Sequence, residues 1–179
     1  RMAEKTYCVV DIETTGLKAG RDQIIEIAAL KLRNGMEVDR RSSLVDPGRD
    51  IPPFITSLTG ISSDMVAGAP SIDAVIRDFT AFIDDSIIVA HNANFDYRFL
   101  RHEVNTHLSG ELNNPCLCTC RLARRVLAHL PSKNLRSVSA YFGIRNPNAH
   151  RAMGDVVTTA HILLKMSDIL YRKGITEQG

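Results

Sequence analysis

The sequence predicts an α/β fold in which helices pack on a mixed β-sheet. Two observations indicate this class: a strand hairpin opens the chain, and segments with helix and strand patterns then alternate towards its end. The length of 179 residues suits one domain with a sizeable core. The composition, 44% hydrophobic and 23% charged, is typical of a soluble globular protein.

The first half of the chain predicts three strands followed by a long loop. The strands are residues 6–12, 23–33 and 36–45. Asn34-Gly35 favours a tight hairpin turn and joins the second strand to the third. The stretch 47–70 is rich in proline and glycine and is predicted to be mostly loop, with a short helix around 53–58.

The second half predicts helices that alternate with short strands. Ser71 is a good N-cap for the next helix. That helix has an apolar stripe at helical spacing, formed by Ile72, Val75, Ile76, Phe79, Phe82 and Ile83. The remaining elements are a strand at 87–90, a helix from near Asn94, a strand near 116–119, helices near 120–129 and 134–142, and a last helix from about Ala152 to Arg172. The domain is expected at 6–172, between an N-terminal extension at 1–5 and a C-terminal tail at 173–179.

The net charge of +2 hides an asymmetry along the chain. Residues 1–96 contain 10 Lys/Arg and 15 Asp/Glu, whereas residues 97–151 contain nine Lys/Arg and two Asp/Glu. An acidic half that supplies metal ligands and a basic half would suit an anionic, phosphate-bearing substrate. Solvated surface arginines explain the same composition equally well. Because no apolar run is long enough to span a membrane and no secretory signal pattern opens the chain, a cytoplasmic location without a membrane partner is expected.

Three of the four cysteines, Cys116, Cys118 and Cys120, are closely spaced and invite a zinc interpretation. Structural zinc sites usually have longer spacers and a second ligand pair elsewhere, which the sequence does not show. Ordinary buried or half-buried thiols, without a disulfide, are therefore expected.

Four acidic residues lie within or beside apolar sequence that should be core. They occur in the motifs Asp11-Ile12-Glu13-Thr14-Thr15-Gly16, His91-Asn92-Ala93-Asn94-Phe95-Asp96 and His150-Arg151-Ala152-Met153-Gly154-Asp155. Buried carboxylates repel one another and lose hydration, so a fold does not collect them without a cation. Asp11 and Glu13 are two residues apart at a strand end, and their side chains therefore point to one face. Taken singly, each acid has another explanation: strand-end acids are often simply solvated, and the helix dipole favours an acid at the position of Asp96. His91 is expected to be a hydrogen-bonded residue at the strand end rather than a ligand.

The pattern of the last helix gives more direct evidence that Asp155 faces the core. Its polar stripe is predicted to consist of Gly154, Thr158, His161, Lys165, Asp168 and Arg172. Asp155 lies off that stripe, so it should face the core at least partly and need a partner to stay ionised. His150 is five residues earlier, about 140° out of register on a helix. It is therefore expected on the loop before the helix, leaning over the carboxylates.

These residues fit the hydrolysis of phosphodiester bonds. Two divalent ions about 3.5–4 Å apart can stabilise the charge that develops on the phosphate oxygens. All-carboxylate ligation favours Mg²⁺ or Mn²⁺ over zinc. A histidine, whose ordinary pKa is near 6.5, is a suitable base for the attacking water.

The patterns D-x-E-T-T-G, H-N-A-x-F-D and H-x-A-x-x-D, in this order, resemble the three motifs of the DEDDh (DnaQ-like) 3′–5′ exonucleases. The resemblance covers roughly residues 6–170 and includes a family-like segment at 58–61. It implies an RNase H-like fold, with a five-stranded mixed sheet flanked by helices on both faces. It also implies removal of nucleoside 5′-monophosphates from 3′ ends, with single-stranded or frayed DNA as the leading substrate.

The resemblance also implies roles for individual residues. Asp11, Glu13 and Asp155 would hold the ion that binds the nucleophilic water, Asp11 with Asp96 would serve a second ion, and His150 would be the general base. The matching nucleotide-binding positions are Thr14, Thr15 and Gly16 at the terminal sugar, and Leu58, Thr59 and Phe95 at the last base and ribose. Some proofreading members have histidine where this chain has Thr59.

Two other functions remain open at this point. An RNA-trimming relative would have the same acidic cluster, and a catalytically inactive nucleic-acid-binding module could use the same fold. The inactive module would be expected to have lost ligands, which this chain retains. The sequence also leaves open the strand preference, the oligomeric state, an association with a DNA polymerase, and whether the chain is a free enzyme or one domain of a longer protein.

Overall fold

The computed structural model describes residues 5–174, which form a five-stranded mixed sheet flanked by helices. The strands are β1 (Thr6–Thr14), β2 (Ile24–Arg33), β3 (Met36–Leu44), β4 (Ile87–Ala90) and β5 (Cys116–Cys118). Their order across the sheet is β3-β2-β1-β4-β5. β1, β2 and β3 pair antiparallel, whereas β4 and β5 run parallel to β1. The predicted fold class is confirmed.

The helices follow the predicted order. They are α1 (Pro53–Thr59), α2 (Ser63–Val66), α3 (Ile72–Ile83), α4 (Ala93–His107), α5 (Thr119–Val126), α6 (Leu135–Tyr141) and α7 (Ala152–Arg172). Ser71 caps α3 as predicted, since its side chain accepts a hydrogen bond from the N–H of Ala74. Helix α2 was not predicted; it is a single turn capped by Ser62 within a loop. Helix α5 ends at Val126, earlier than the predicted 129.

Different helices cover the two faces of the sheet. On β1, Cys8, Val10 and Ile12 belong to the core beneath α3 and α4. The alternate residues Tyr7 and Val9 belong to the core beneath α7. Because strand side chains alternate between faces, the odd-numbered acids of β1 fall on the α7 side.

Strand β1 continues two residues past the predicted end at residue 12. Asp11 pairs with Ala28 and Glu13 with Glu26 in the ladder between β1 and β2. Immediately after Glu13 the register shifts, so that Thr14 pairs with Ile24. Such bulges bend a strand and re-aim its side chains, and they are frequent beside active sites.

The polar stripe predicted for α7 is wrong in its first half. Thr158 is buried at 2% exposure, because α7 packs on β1 and β2 and also contacts α5 and α6. Gly154 faces the preceding loop so closely that a Cβ there would lie 2.5 Å from the carbonyl oxygen of Asn148. Exposed polar residues on this helix begin at His161. The first turns of α7 are thus interior structure.

The predicted terminal segments lie almost entirely outside the described residues. Of the 1–5 extension only Lys5 is described, and of the 173–179 tail only Lys173 and Gly174. Between residues 5 and 174, no helix has the length and hydrophobicity needed to cross a membrane.

Candidate active site

Three carboxylates converge at the end of β1. Asp11 and Glu13 come from β1 and Asp155 from the first turn of α7. One oxygen of each lies within 4.8 Å of the others, a separation at which they could hold a metal ion. The convergence follows from the sequence spacing, because residues i and i+2 of a strand share a face and α7 packs on that face.

Asp96 lies beside this group but is not part of it. It occupies the first turn of α4 and is buried at 3% exposure. The backbone N–H of Ile12 donates a hydrogen bond to its carboxylate, which places Asp96 at the segment of β1 between the other two acids. Its charge is also the largest of the charges that raise the pKa of Asp11. The four acids therefore form one electrostatic unit.

Burial raises the pKa of every acid in this unit, and repulsion from its other members adds to the effect at Asp11, Glu13 and Asp96. Burial is the largest cause in each case; it raises the pKa of Glu13 to about 8 and that of Asp96 to about 8. The pKa of Asp11 lies well above its ordinary range because of burial and the charges of the other acids, and burial also raises the pKa of Asp155. These are the surroundings of a site that lacks a compensating positive charge.

Two carboxylate oxygens lack a partner in the part of the chain described. Asp11 Oδ2 and Asp96 Oδ2 are buried and make no hydrogen bond to any described residue. A buried acceptor without a donor is costly, and a cation would relieve that cost. The donor set consists of carboxylate oxygens, the ligands that Mg²⁺ and Mn²⁺ prefer. The residues present therefore fit a hard divalent ion.

Asp155 is oriented by the loop that precedes α7. Asn146 Nδ2 donates to Asp155 Oδ1 at 2.8 Å, and the backbone N–H of His150 donates to the same oxygen at 3.3 Å. Asn146 Oδ1 is buried without a partner among the described residues. Sequence reasoning missed Asn146, since an asparagine in a loop nine residues before an acid follows no recognisable pattern.

A fifth carboxylate, Glu26, fixes the start of α7 to the sheet. Glu26 lies opposite Glu13 in the β1–β2 ladder and is buried at 6% exposure. Its Oε1 accepts a hydrogen bond from the backbone N–H of Ala152 at 2.8 Å, and its Oε2 accepts one from Arg151 Nη2 at 2.8 Å. The guanidinium of Arg151 compensates this buried charge in part, and the charge of Glu26 still raises the pKa of Glu13 and of Asp155. The available signal was an acid inside the apolar run 24–30.

His150 lies on the loop before α7, as expected from its register. Helix α7 begins at Ala152 with Arg151 as N-cap, and the side chain of His150 is exposed. Its φ of 64° is a left-handed conformation that few non-glycine residues adopt. The charge of the imidazole lowers the pKa of Asp155, which places the ring near the carboxylates without burying it among them.

The predicted sugar-binding residues form the turn after β1. The hydroxyl of Thr14 donates to the carbonyl of Gly16, and the hydroxyl of Thr15 accepts the N–H of Gln23 at 2.9 Å. Both hydroxyls thus have internal partners. At Gly16 a Cβ would lie 2.5 Å from Asp22 Cγ, so a larger residue there would require the Asp22 side chain to move.

The predicted base-binding residues differ in their exposure. Leu58 is 52% exposed on α1, and Phe95 is half-buried on α4, with its ring centroid 5.0 Å from that of Phe99. Thr59 is buried; its hydroxyl donates to the carbonyl of Ile55 and accepts the N–H of Ile61. Leu58 and Phe95 thus present apolar surface that a nucleotide could contact, whereas the side chain of Thr59 stabilises the end of α1.

His91, Cys118 and Cys120 have structural partners, whereas Cys116 is exposed, contrary to the expectation of buried or half-buried thiols. His91 Nδ1 lies 2.8 Å from Thr119 Oγ1 and Nε2 lies 2.7 Å from the carbonyl of Lys133, so the prediction of a hydrogen-bonded histidine is confirmed. Cys118 Sγ accepts the N–H of Ala93 and Cys120 Sγ donates to the same carbonyl of Lys133. The cysteines are free thiols.

Comparison with known proteins identifies the family. A profile of the exonuclease family RNase_T matches residues 8–163. The chain is 34% identical over 172 residues to the DNA polymerase III subunit epsilon of Aquifex aeolicus, of which it covers 85%. It is also 40% identical over 174 residues to the PolC-type DNA polymerase III of Thermotoga maritima. It spans only 13% of that much longer protein.

Solved structures agree with this assignment. A structure of Exonuclease X in complex with 5′ overhanging duplex DNA shares 31% identity and superposes with a TM-score of 0.74, covering 96% of this chain and 95% of that one. A structure of Exonuclease I from E. coli with a dT13 oligonucleotide is 20% identical and shows the same fold, with a TM-score of 0.82 over 95% of this chain and 42% of its own. The chain belongs to the RNase_T exonuclease family, the DnaQ-like group that its three motifs predicted.

Proposed function

We propose that this exonuclease removes nucleoside 5′-monophosphates one at a time from the 3′ ends of DNA, single-stranded or frayed. The observation that carries the proposal is the convergence of Asp11, Glu13 and Asp155, with unpartnered buried oxygens on Asp11 and Asp96. A hydrolase that used only side-chain acids and bases would gain nothing from so many buried carboxylates. Their assembly is explained if they bind Mg²⁺ or Mn²⁺.

We assign a role to each of the four acids and to His150 from its position in the site. Asp11, Glu13 and Asp155 would hold one divalent ion, and Asp96 beside Asp11 would serve a second. Such ions, when bound, stabilise charge on the phosphate oxygens and acidify water. His150, exposed at the rim of the cluster, would accept the proton of the attacking water. Its backbone bond to Asp155 ties this base to the carboxylates.

The nucleotide would lie between the turn after β1 and the start of α4. Gly16 allows the backbone to approach the terminal sugar. Leu58 and Phe95 would contact the last base and ribose through their apolar surfaces. Since the hydroxyls of Thr14, Thr15 and Thr59 have internal partners, these residues would act chiefly through their backbone and by shaping the turn and the end of α1.

The names of the relatives favour DNA over RNA and a role in replication or repair. The sequence relatives are DNA polymerase III proteins, and one structural relative is bound to duplex DNA. The chain would therefore proofread beside a DNA polymerase, either as a separate subunit or as a domain of a longer protein.

Matched 5′-labelled DNA and RNA oligonucleotides, incubated with Mg²⁺, Mn²⁺ or chelator, test this proposal on one gel. The expected result is a ladder of DNA products that shorten from the 3′ end, dependent on metal. A clear preference for RNA would assign the chain to RNA trimming instead. Binding without any shortening would indicate an inactive nucleic-acid-binding module.

A further inference from the structure

An exposed arginine cluster lies on α5, outside the residues placed in the active site. Arg121, Arg124 and Arg125 are spaced i, i+3 and i+4, so they share one face of the helix. The opposite face, with Thr119 and Ala123, is buried against the rest of the fold. All three arginines are exposed, and we term them the α5 cluster.

Within residues 5–174 the α5 cluster has no internal partner. Some other exposed arginines pair with carboxylates: Arg40 with Glu37, Arg77 with Asp73, and Arg172 with Asp168. The α5 arginines differ from the remaining unpaired ones in sharing one helix face beside a cleft. None of the three α5 arginines makes an ion pair or hydrogen bond to another described residue. Like charges at helical spacing repel one another and weaken the helix. The helix dipole favours cations in the last turn but does not explain Arg121 near the start.

Two open clefts lie between the α5 cluster and the segment that leads to Asp96. One, of about 650 Å³, is lined by Arg124 and by His91 and Asn92, which link β4 to α4. The other, of about 570 Å³, is lined by all three arginines and by Ala93 and Asn94 at the start of α4. Asp96 belongs to the first turn of the same helix. The cluster and the carboxylates therefore flank one connecting segment, 91–96.

The distance between the α5 cluster and the carboxylates determines which substrates can contact both. β5, which leads directly into α5, is the second strand from β1 in the sheet. Neighbouring strands lie about 4.8 Å apart, so β5 lies roughly 10 Å from the strand that carries Asp11 and Glu13. A substrate with no nucleotide beyond the cleaved bond ends short of α5, whereas a strand of several nucleotides can extend along the clefts.

We propose that the α5 cluster binds phosphates of the substrate strand on the 5′ side of the cleaved bond. This inference rests on the proposed exonuclease function and adds a second binding region to it. Charge complementarity identifies the ligand, since unpaired guanidinium groups beside an open cleft recognise phosphate oxygens. The cluster supplies affinity for long substrates and takes no part in the chemical step.

The test compares two substrates with the triple variant Arg121→Ala, Arg124→Ala and Arg125→Ala. One is a 20-nucleotide single-stranded DNA; the other is the p-nitrophenyl ester of thymidine 5′-monophosphate, which reaches only the carboxylates. The variant should lose 10-fold or more in kcat/KM on the oligonucleotide, mostly through KM, and keep the wild-type rate on the ester. Loss of three phosphate contacts should also reduce the slope of log(kcat/KM) against log[salt] by about 2.

A matched control removes the same charge elsewhere, through Arg40→Ala, Arg77→Ala and Arg172→Ala. It should behave as the wild type on both substrates. If the control variant lost as much kcat/KM on the oligonucleotide as the α5 variant, the effect would come from net charge alone. If the α5 variant lost activity equally on both substrates, the cluster would act in the chemical step or in folding. Either result overturns the inference. An unchanged kcat/KM on the oligonucleotide would overturn it as well. A wild type inactive on both substrates would instead refute the proposed exonuclease function.

Discussion

Replacing Asp96 with asparagine should raise the free energy of unfolding of the metal-free protein, although it removes an acid of the proposed active site. Asp96 is 3% exposed and has one buried oxygen without a partner among the described residues. Asparagine has nearly the same shape, can still accept the hydrogen bond from Ile12, and carries no charge. The substitution therefore tests whether the cluster is a destabilising feature that awaits a cation.

The magnitude follows from the pKa of Asp96, which burial raises from an ordinary 3.8 to about 8. Because the folded state has the higher pKa, it binds the proton more tightly than the unfolded state does. The contribution of Asp96 to stability is therefore fully present below pH 4 and is lost as the pH rises towards 8. At 1.36 kcal/mol per pH unit above 3.8, the cost is about 2 kcal/mol at pH 5 and about 4 kcal/mol at pH 7.

Urea denaturation followed by circular dichroism, in chelator at pH 5, 7 and 9, measures this effect. The free energy of unfolding of Asp96→Asn should exceed that of the wild type by an amount that grows from pH 5 to 7. Its melting temperature should be on the order of 10 °C higher at pH 7. Saturating Mn²⁺ should stabilise the wild type more than the variant. Asp50→Asn, at an exposed position, is the control and should change little. A less stable Asp96→Asn protein at pH 7, or a difference independent of pH, would refute the reasoning.

Three further predictions concern the start of α7. Arg151→Met should lower the free energy of unfolding, measured by urea denaturation, by about 2 kcal/mol. This is less than for a fully buried pair, because the Arg151 side chain is 39% exposed. A loss below about 0.5 kcal/mol would show that its bond to Glu26 contributes little. Gly154→Ala should reduce kcat about 10²-fold by displacing the loop that it contacts, whereas Gly110→Ala, in open space, should not. His150→Ala should reduce kcat by about 10²–10⁴-fold. A variant that keeps the wild-type kcat would contradict the role of this histidine as a base.

The sequence predicted most of the fold because the patterns were local. The hairpin at Asn34-Gly35, the stripe of α3 and the apolar strand at 87–90 each follow from neighbouring residues, and each is present. The convergence of Asp11 and Glu13 also needed only the alternation of a strand. The burial of Thr158 could not be predicted in the same way, because α7 packs against strands and helices that come earlier in the chain.

The site residues that were missed also depend on long-range contacts. Glu26 and Arg151 meet across 125 positions of the chain, and no local pattern pairs them. Asn146 reaches Asp155 only because the loop folds back over the first turn of α7. The α5 cluster was visible as an excess of arginine, but only the structure separates those arginines from the ones with carboxylate partners.

The dependence of hydrolysis on Mn²⁺ concentration, for the wild type and for Asp11→Ala, tests the metal-dependent carboxylate cluster most directly. The initial rate of nucleoside 5′-monophosphate release from the 3′ end of single-stranded DNA should rise to saturation with Mn²⁺ in the wild type and vanish in chelator. Asp11→Ala should fold but release no nucleotide at any Mn²⁺ concentration. Full activity of Asp11→Ala, or release by the wild type in chelator, would contradict a metal site built on these carboxylates.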